Sequence, residues 1–403
     1  MTMTRLDAAD LRLDPNPLAP HYSRFRVAER LLLSGHSHQA WPDVALEGQI
    51  AAFEDAARAV DDKWELAFAQ ADQVRAGYAR LLGEPAEQIA LGPSTHDLLI
   101  KLVSGLDFRR RPRLVATGGE FHSLRRQLAR LAEEGVDVTL VPTRPVDTLA
   151  ERLADATDDR TLAVFVSAVL FETSRIVPGL DALAASCQRH GAELVVDAYH
   201  ALGVVPFPLA GLGLTEAWVL GGGYKYLQLG EGNCCLRLPP HAADVRPIVT
   251  GWFAEFAELS QQPGRDRVPY GPPASRFAAA TYDPTSNYRA ARVFRFFADQ
   301  GLTPELLRAS YLHQRSVLAA TFDALDVPDE LVTRDRETPA AGFAGFLSLE
   351  SPHAGHLQEE LAARGVQTDS RGRYLRVGPA PYLSDAQLEA AIGTLGELLA
   401  ARS

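Results

Sequence analysis

Between Ile89 and Leu238, short apolar runs alternate with longer amphipathic stretches, and this alternation restricts the chain's fold more than any other feature. The runs Arg113–Thr117, Val138–Val141, Leu162–Val169, Glu193–Asp197, Ala217–Leu220 and Cys234–Leu238 have strand length and apolar character. The segments His122–Glu134, Asp147–Ala156 and Leu180–His190 carry helical spacing, and Gly191 after the last of them is a favourable helix C-cap. Strands separated by helices need crossover connections. The pattern therefore predicts an α/β fold: a large, mainly parallel sheet covered by helices on both faces.

The flanks read differently. From about Pro42 to Arg80, apolar residues recur at helical spacing through Val44, Ile50, Phe53 and Ala57, then around Trp64, Phe68 and Val74. Pro263–Ser275 is rich in Pro and Gly and reads as irregular. Beyond it come helices over Asn287–Gln300 and Pro304–Leu325, a strand at Phe343–Leu349, a helix over Ala354–Arg364, a strand ending at Val377 and a helix from Ser384. That is a smaller α+β unit. The expected division is an N-terminal segment over 1–45, a large domain over 46–285 and a small domain over 286–403, and 403 residues suffice for two cores.

Charge narrows the partners. The formal net charge of -11 argues against binding nucleic acid or an anionic membrane by charge. No apolar run reaches membrane-spanning length, and the first 18 residues lack the apolar stretch of a secretory leader. Cys187, Cys234 and Cys235 show no zinc spacing and read as free thiols of a reducing compartment, so the expected location is cytoplasmic. His36 and His38 have no carboxylate at a spacing that supports a metal site, and no metal is expected.

Two strand ends carry the chemistry. Leu194-Val195-Val196-Asp197-Ala198-Tyr199-His200 ends one strand in a carboxylate. Trp218-Val219-Leu220-Gly221-Gly222-Gly223-Tyr224-Lys225 ends the next in a three-glycine turn and an amine, 28 positions after Asp197. Ligands of open parallel sheets sit beyond the carboxyl ends of the strands, so both groups can face one ligand. A lysine amine and a carboxylate are what pyridoxal phosphate (PLP) needs. The amine forms an imine with the aldehyde, and the carboxylate keeps the pyridine nitrogen protonated so that the ring accepts electrons. Burial near another cation would lower the lysine's pKa and free its lone pair. Alone, each residue reads as equally well structural.

Asp197-Ala198-Tyr199-His200 resembles the Asp-x-x-His of kynureninases, and Gly223-Tyr224-Lys225-Tyr226-Leu227, followed by Gly230 and Gly232, resembles their lysine loop. Kynureninases are class V members of the fold-type I PLP enzymes, and the resemblance extends over roughly Leu31–Leu399. It implies PLP as cofactor, a fold-type I PLP-transferase architecture, and Lys225, Tyr224 and Asp197 as catalytic residues. It places the phosphate on Ser94 and Thr95 of Gly92-Pro93-Ser94-Thr95, a helix start that also suits plain capping. It assigns ring stacking to Phe121 and cofactor contacts to Ser123, His200 and Trp252, where His200 orients Asp197 or Tyr199 or is a satisfied core histidine, and Trp252 is otherwise core. Thr281 would reach the phosphate of a neighbouring subunit, with Thr285 and Ser286 as the competing register, so a homodimer is implied. Arg376, in Leu375-Arg376-Val377-Gly378-Pro379, would grip the substrate α-carboxylate with two N–H groups, and Ser37 would touch substrate.

The chain departs from the family at three places, one of them Ala280, where the class V Arg-Phe…Gly-Thr segment has glycine. Phe121-His122-Ser123-Leu124 has leucine where the family has aspartate, and Gly35-His36-Ser37-His38 replaces Gly-Asn-Ser. The expected reaction is hydrolysis of the Cβ–Cγ bond of kynurenine or a related aryl-keto amino acid, giving alanine and an aromatic acid. The alternatives are a PLP β-lyase or class V aminotransferase, and a PLP-fold scaffold without catalysis. Desulfurase chemistry needs a nucleophilic cysteine late in the chain, and none follows Cys235.

Overall fold

The computed structural model describes residues 6–258 and 267–401. Part of the irregular segment expected at Pro263–Ser275, positions 263–266, lies outside the described residues. After the short strand β1 (Leu31–Leu32) come helices α1 (Val44–Ala59) and α2 (Lys63–Leu82). The sequence reads this stretch as continuous. The structure breaks it at Val60, whose φ of 47° no helix accommodates.

The large domain then alternates as expected. In order come β2 (Ile89–Gly92), α3 (Thr95–Ser104), β3 (Arg113–Thr117), α4 (His122–Glu133), β4 (Asp137–Val141) and α5 (Leu149–Asp155). They are followed by β5 (Thr161–Ser167), α6 (Leu180–His190), β6 (Glu193–Asp197), β7 (Trp218–Gly222) and β8 (Cys234–Arg237). These seven strands form one sheet in the order β2-β8-β7-β6-β5-β3-β4, and only β8 runs antiparallel to its neighbours.

Successive residues of one strand enter different cores. Leu114, Ala116, Phe165 and Val195 pack with Leu98, Leu102, Leu124 and Leu128. Val115, Val164, Val166, Leu194 and Val196 join the other cluster, with Leu149, Leu153, Leu180 and Leu183. Side chains alternate across a strand, so both faces of the sheet are dry, and polar groups reach a ligand only at the strand ends.

The C-terminal part of the chain holds α7 (Thr285–Asp299), which packs on α1 and α2, then α8 (Pro304–Asp323), β9 (Thr333–Arg334), β10 (Leu347–Glu350), α9 (Ala354–Ala363), β11 (Val366–Gln367), β12 (Asp369–Arg371), β13 (Tyr374–Val377) and α10 (Asp385–Ala400). Its sheet is antiparallel, in the order β12-β13-β10-β9. The N-terminal segment is tied to this part. β1 pairs with β11, and the Gln387 side chain donates to the carbonyls of Val27 and Arg30 at 2.9 and 3.0 Å. The Gly35 N–H then donates to the Gly378 carbonyl at 2.8 Å. Any Cβ at Gly35 would sit 2.4 Å from the Pro379 carbonyl oxygen, so only glycine permits this approach.

Candidate active site

Asp197 ends β6 between Ser167, its partner at the end of β5, and Leu220 on β7. At the end of β7 the chain turns through Gly222 and Gly223. A Cβ at Gly222 would lie 2.3 Å from the Tyr199 ring, so the glycine lets that ring lie against the strand end. The Gly223 N–H donates to the Asn233 carbonyl and the Gly223 carbonyl accepts from Leu229, both at 2.8 Å, which closes the loop tightly. Gln228, at φ 59°, is held from the N-terminal segment: it accepts from the Tyr22 hydroxyl at 2.5 Å and donates to Gln39 at 2.8 Å. The anchored loop turns Lys225 inward, to 6% exposure.

The environment of Lys225 is set by burial. Its Nζ has one polar partner among the described residues, His200 Nε2 at 2.7 Å. Aromatic rings surround the rest: Tyr199 at 4.6 Å, Phe121 at 5.3 Å and Tyr224 at 5.7 Å from Nζ to ring centroid. Burial brings the amine down to about 7, Asp197 works against that, and Arg376 adds to it. The amine thus meets the requirement of being partly unprotonated near neutral pH. Burial, then the charge on Lys225, holds His200 well below the usual histidine range. A neutral imidazole accepts from the ammonium, and its Nδ1 is buried without a partner. His200 therefore goes to Lys225, not to Asp197 or Tyr199. Asp197 receives the Tyr199 N–H at 2.8 Å, and burial raises its pKa.

These groups line a cavity of about 330 Å³. Ser94, Thr95, Phe121, Ser123, Asp197, His200, Tyr224 and Lys225 all face it. Ser94 caps α3, accepting the Asp97 N–H at 3.1 Å as the capping reading expects, and it lines the cavity as well. The cavity thus opens onto the positive end of a helix, a natural place for a phosphate.

Four expected residues, Trp252, Thr281, Arg376 and Ser37, do not line the cavity. Trp252 is 43% exposed and packs on Phe253 and Phe256. Thr281 is exposed in the same surface region, where the Phe253 N–H meets the Ala279 carbonyl. Neither lines the cavity of its own chain. In the competing register, Thr285 is spent on Asp283, while Ser286 donates to the carbonyl of Gly232, a cavity residue.

Arg376, on β13, does not line this cavity but lies behind Phe171, which does. It is buried, ion-paired to Asp369, and donates to the Phe171 carbonyl at 2.6 Å; its Nε has no partner. His36 lies on the same group, 3.8 Å from Asp369, with its ring against Phe346. His38 instead stacks on Tyr224 at 4.8 Å, with Ser37 Oγ at 3.3 Å from its ring. The two histidines thus face different partners, one at the Asp369–Arg376 pair and one at the lysine loop.

Sequence reasoning missed Glu120. It is 2% exposed and accepts from Thr117 Oγ1 at 2.5 Å, Ser167 Oγ at 2.6 Å and Ser167 N–H at 3.1 Å. Burial pushes its carboxyl up to about 7. The residue adjoins Phe121 and grips the strand end paired with Asp197, so it fixes the stacking ring's loop to the carboxylate's strand. Leu124, where the family has aspartate, is buried among Phe165, Val195 and Leu128. A polar residue directly before an expected ring-stacking position was the available signal.

PLP fits these residues. A buried amine without an ion pair, a carboxylate at the adjacent strand end, an orphaned imidazole nitrogen and a helix N-terminus share one cavity of suitable size. The chain superposes on a C-DES mutant with glycine covalently linked to its PLP cofactor (TM-score 0.83, 16% identity, 94% of this chain and 99% of that one). It superposes equally broadly on an apo cysteine desulfurase from Thermococcus onnurineus (TM-score 0.80, 19% identity, 99% of both chains). This is the fold of the class V PLP enzymes. In sequence, the chain is 26% identical over 422 residues to a kynureninase of Deinococcus radiodurans, covering 99% of this chain and 97% of the relative. It is also 26% identical over 330 residues to the uncharacterized aminotransferase YcbU of Bacillus subtilis, covering 82% and 84%. No family model matches the chain. Among the described residues, no helix is long and apolar enough to cross a membrane.

Proposed function

We propose that this chain is a PLP enzyme that hydrolyses the Cβ–Cγ bond of kynurenine or a related aryl-keto amino acid. The observation that carries the cofactor reading is Lys225: buried, poised near neutral pH, 2.7 Å from a neutral imidazole and close to a strand-end carboxylate. When bound, the cofactor supplies an electron sink conjugated to the substrate Cα. Asp197 would hold the ring nitrogen protonated, and Phe121 would cover the ring face. Arg376 takes the substrate carboxylate by exchanging its Asp369 contact for the ligand's oxygens. Lys225 removes and returns the Cα proton, which an amine poised near 7 does in both directions. His200 holds Nζ in place while it does so. Burial raises the Tyr224 phenol to about 12, so it keeps its proton and can donate it. The hydrolysis consumes one water and releases alanine and an aromatic acid.

Two further observations support this reading over sulfur chemistry. One relative, matched over 99% of this chain, is a kynureninase. All three thiols are buried, and burial raises each pKa, Cys187 and Cys234 to about 12. None is a poised nucleophile. The second reading is a class V aminotransferase or β-lyase, favoured by Leu124 at the aspartate position and by the likeness to YcbU. We read Trp252 and Thr281, exposed on their own chain, as serving the cavity of a second copy in a homodimer. Buried thiols without a disulfide fit a cytoplasmic location.

Incubation of the PLP-loaded protein with kynurenine and 3-hydroxykynurenine tests the reaction. Alanine and an anthranilate are expected. A keto acid formed only with an amino acceptor present points to the aminotransferase, and pyruvate to the lyase.

A further inference from the structure

A second, larger cavity of about 870 Å³ opens at the seam of the two domains and shares no lining residue with the first. The segment 169–173 separates them: Val169 and Phe171 face the Lys225 cavity, while Leu170, Glu172 and Thr173 face the seam. The seam is tied by backbone pairing, with Ile176 N–H on the Gly342 carbonyl and Ala344 N–H on the Ser174 carbonyl. A ligand there touches both domains at once.

Arg315 of α8 is the unusual group in its wall. It is 6% exposed, and its guanidinium lies 3.6 Å from the centre of the Phe343 ring. Among the described residues it has no carboxylate within ion-pair reach and no hydrogen-bond acceptor, and its Nε is buried and orphaned. A buried charge in that condition is costly and is normally paired. Its neighbours do not relieve it. Arg308, one helical repeat away, spends its donors on the Phe343 and Ala341 carbonyls, which carry no charge. Arg175 lies 5.7 Å from the same Phe343 ring and is held by Asp147 and Asp335. Asp335, whose charge acts on Arg315, already accepts from Arg175, Thr338 and the Glu337 N–H. Other acids of the wall are engaged too: Asp329 with Arg336, and Glu350 with Arg144 and Arg373. Glu172 and Glu337 make no ion pair among the described residues, and the wall as a whole carries six carboxylates to five arginines. The positive excess is local to Arg315.

We propose that Arg315, stacked on Phe343, forms a second ligand site for a small oxyanion, the carboxylate or phosphate group of a metabolite, bound at the domain seam apart from the Lys225 cavity. The planar guanidinium offers two parallel N–H groups to two oxygens, and the ring behind it fixes its plane. The site does not depend on the proposed reaction. It does make the domain seam the place where an anionic metabolite would couple to the neighbouring cavity, since Phe171, whose carbonyl receives Arg376, is part of the partition between the two.

The test is calorimetric titration of inorganic phosphate and of succinate into PLP-saturated protein, as wild type, Arg315→Gln and Ser94→Ala. Binding by wild type and Ser94→Ala, weakened about tenfold or more in Arg315→Gln, is expected from losing one charge-assisted contact. Whichever anion binds more tightly identifies a phosphorylated or a carboxylic ligand. Binding lost in Ser94→Ala but kept in Arg315→Gln would assign the anion to the helix cradle and overturn the proposal. So would the absence of binding by either anion. If the protein does not take up PLP, the same three proteins titrated without it still separate the two sites. Should Arg315→Gln not fold, a selenate soak of wild-type crystals decides. Anomalous density within hydrogen-bond distance of Arg315 supports the site, and density only elsewhere refutes it.

Discussion

The pH dependence of cofactor uptake follows directly from the burial of Lys225. The amine falls from its ordinary 10.5 to about 7, a gap of about 3.5 pH units, or about 5 kcal/mol of preference for the neutral form. At pH 7 about half of the amine is then unprotonated, against about three parts in ten thousand for an ordinary lysine, a reactive fraction about a thousandfold larger. Mixing PLP with the cofactor-free protein and following the yellow chromophore by stopped flow reads this fraction. The rate is expected to rise about tenfold per pH unit below 7 and to level off above it. Two variants move the break in opposite directions. Arg376→Gln removes a cation that lowers the amine's pKa, so the break moves up. Asp197→Asn removes the carboxylate that supports the ammonium, so it moves down. A rate that climbs without a break to pH 9 or beyond, in wild type and variants alike, would refute the burial argument.

Glu120 and Gly35 give two further expectations. The Glu120 carboxyl sits at about 7 in the folded chain against 4.5 ordinarily, so the folded state holds the extra proton between those values. Its contribution is full below pH 4.5 and is lost as pH rises through 7, by about 3 kcal/mol. Urea unfolding of Glu120→Gln should lack that loss, and parallel profiles for variant and wild type would contradict it. Gly35→Ala forces a Cβ against the Pro379 carbonyl and should cost about 1–3 kcal/mol of stability. It should also raise KM, because the displaced loop carries His36 against Asp369 and His38 against Tyr224. An unchanged unfolding midpoint would mean that the loop docks more loosely than the structure shows.

The large domain was legible because its strands are apolar throughout and its helices amphipathic. The expected strands Arg113–Thr117 and Glu193–Asp197 and the helix Leu180–His190 match β3, β6 and α6 residue for residue. Strands of two or three residues, such as β1, β9, β11 and β12, carry too few side chains to show a period. β1 exists only because β11, more than three hundred positions later, lies beside it. The same limit applied to the site. Asp197 and Lys225 could be paired from sequence because neighbouring strand ends bring them to one edge. The contact between His200 and Lys225 depends on how the loop after Gly223 turns, which Tyr22 and Gln39 fix from far along the chain. Glu120 was overlooked because a glutamate in a polar loop looks solvated until Thr117 and Ser167 close over it. Leu124 read as a departure from the family's aspartate, and in the structure it completes the core beneath the sheet.

The central claim is that Lys225 binds the cofactor covalently, and the chain is suited to a direct test because it has only three lysines, Lys63, Lys101 and Lys225. Lys101 is paired to Asp97 at 2.5 Å, and Lys63 lies 5.9 Å from the Trp64 ring. The protein is incubated with stoichiometric PLP, reduced with borohydride, digested, and mapped by mass spectrometry. The expected result is one pyridoxyl group per chain, on the peptide containing Lys225. Label on Lys63 or Lys101 with Lys225 unmodified, or no label at all, would contradict the account.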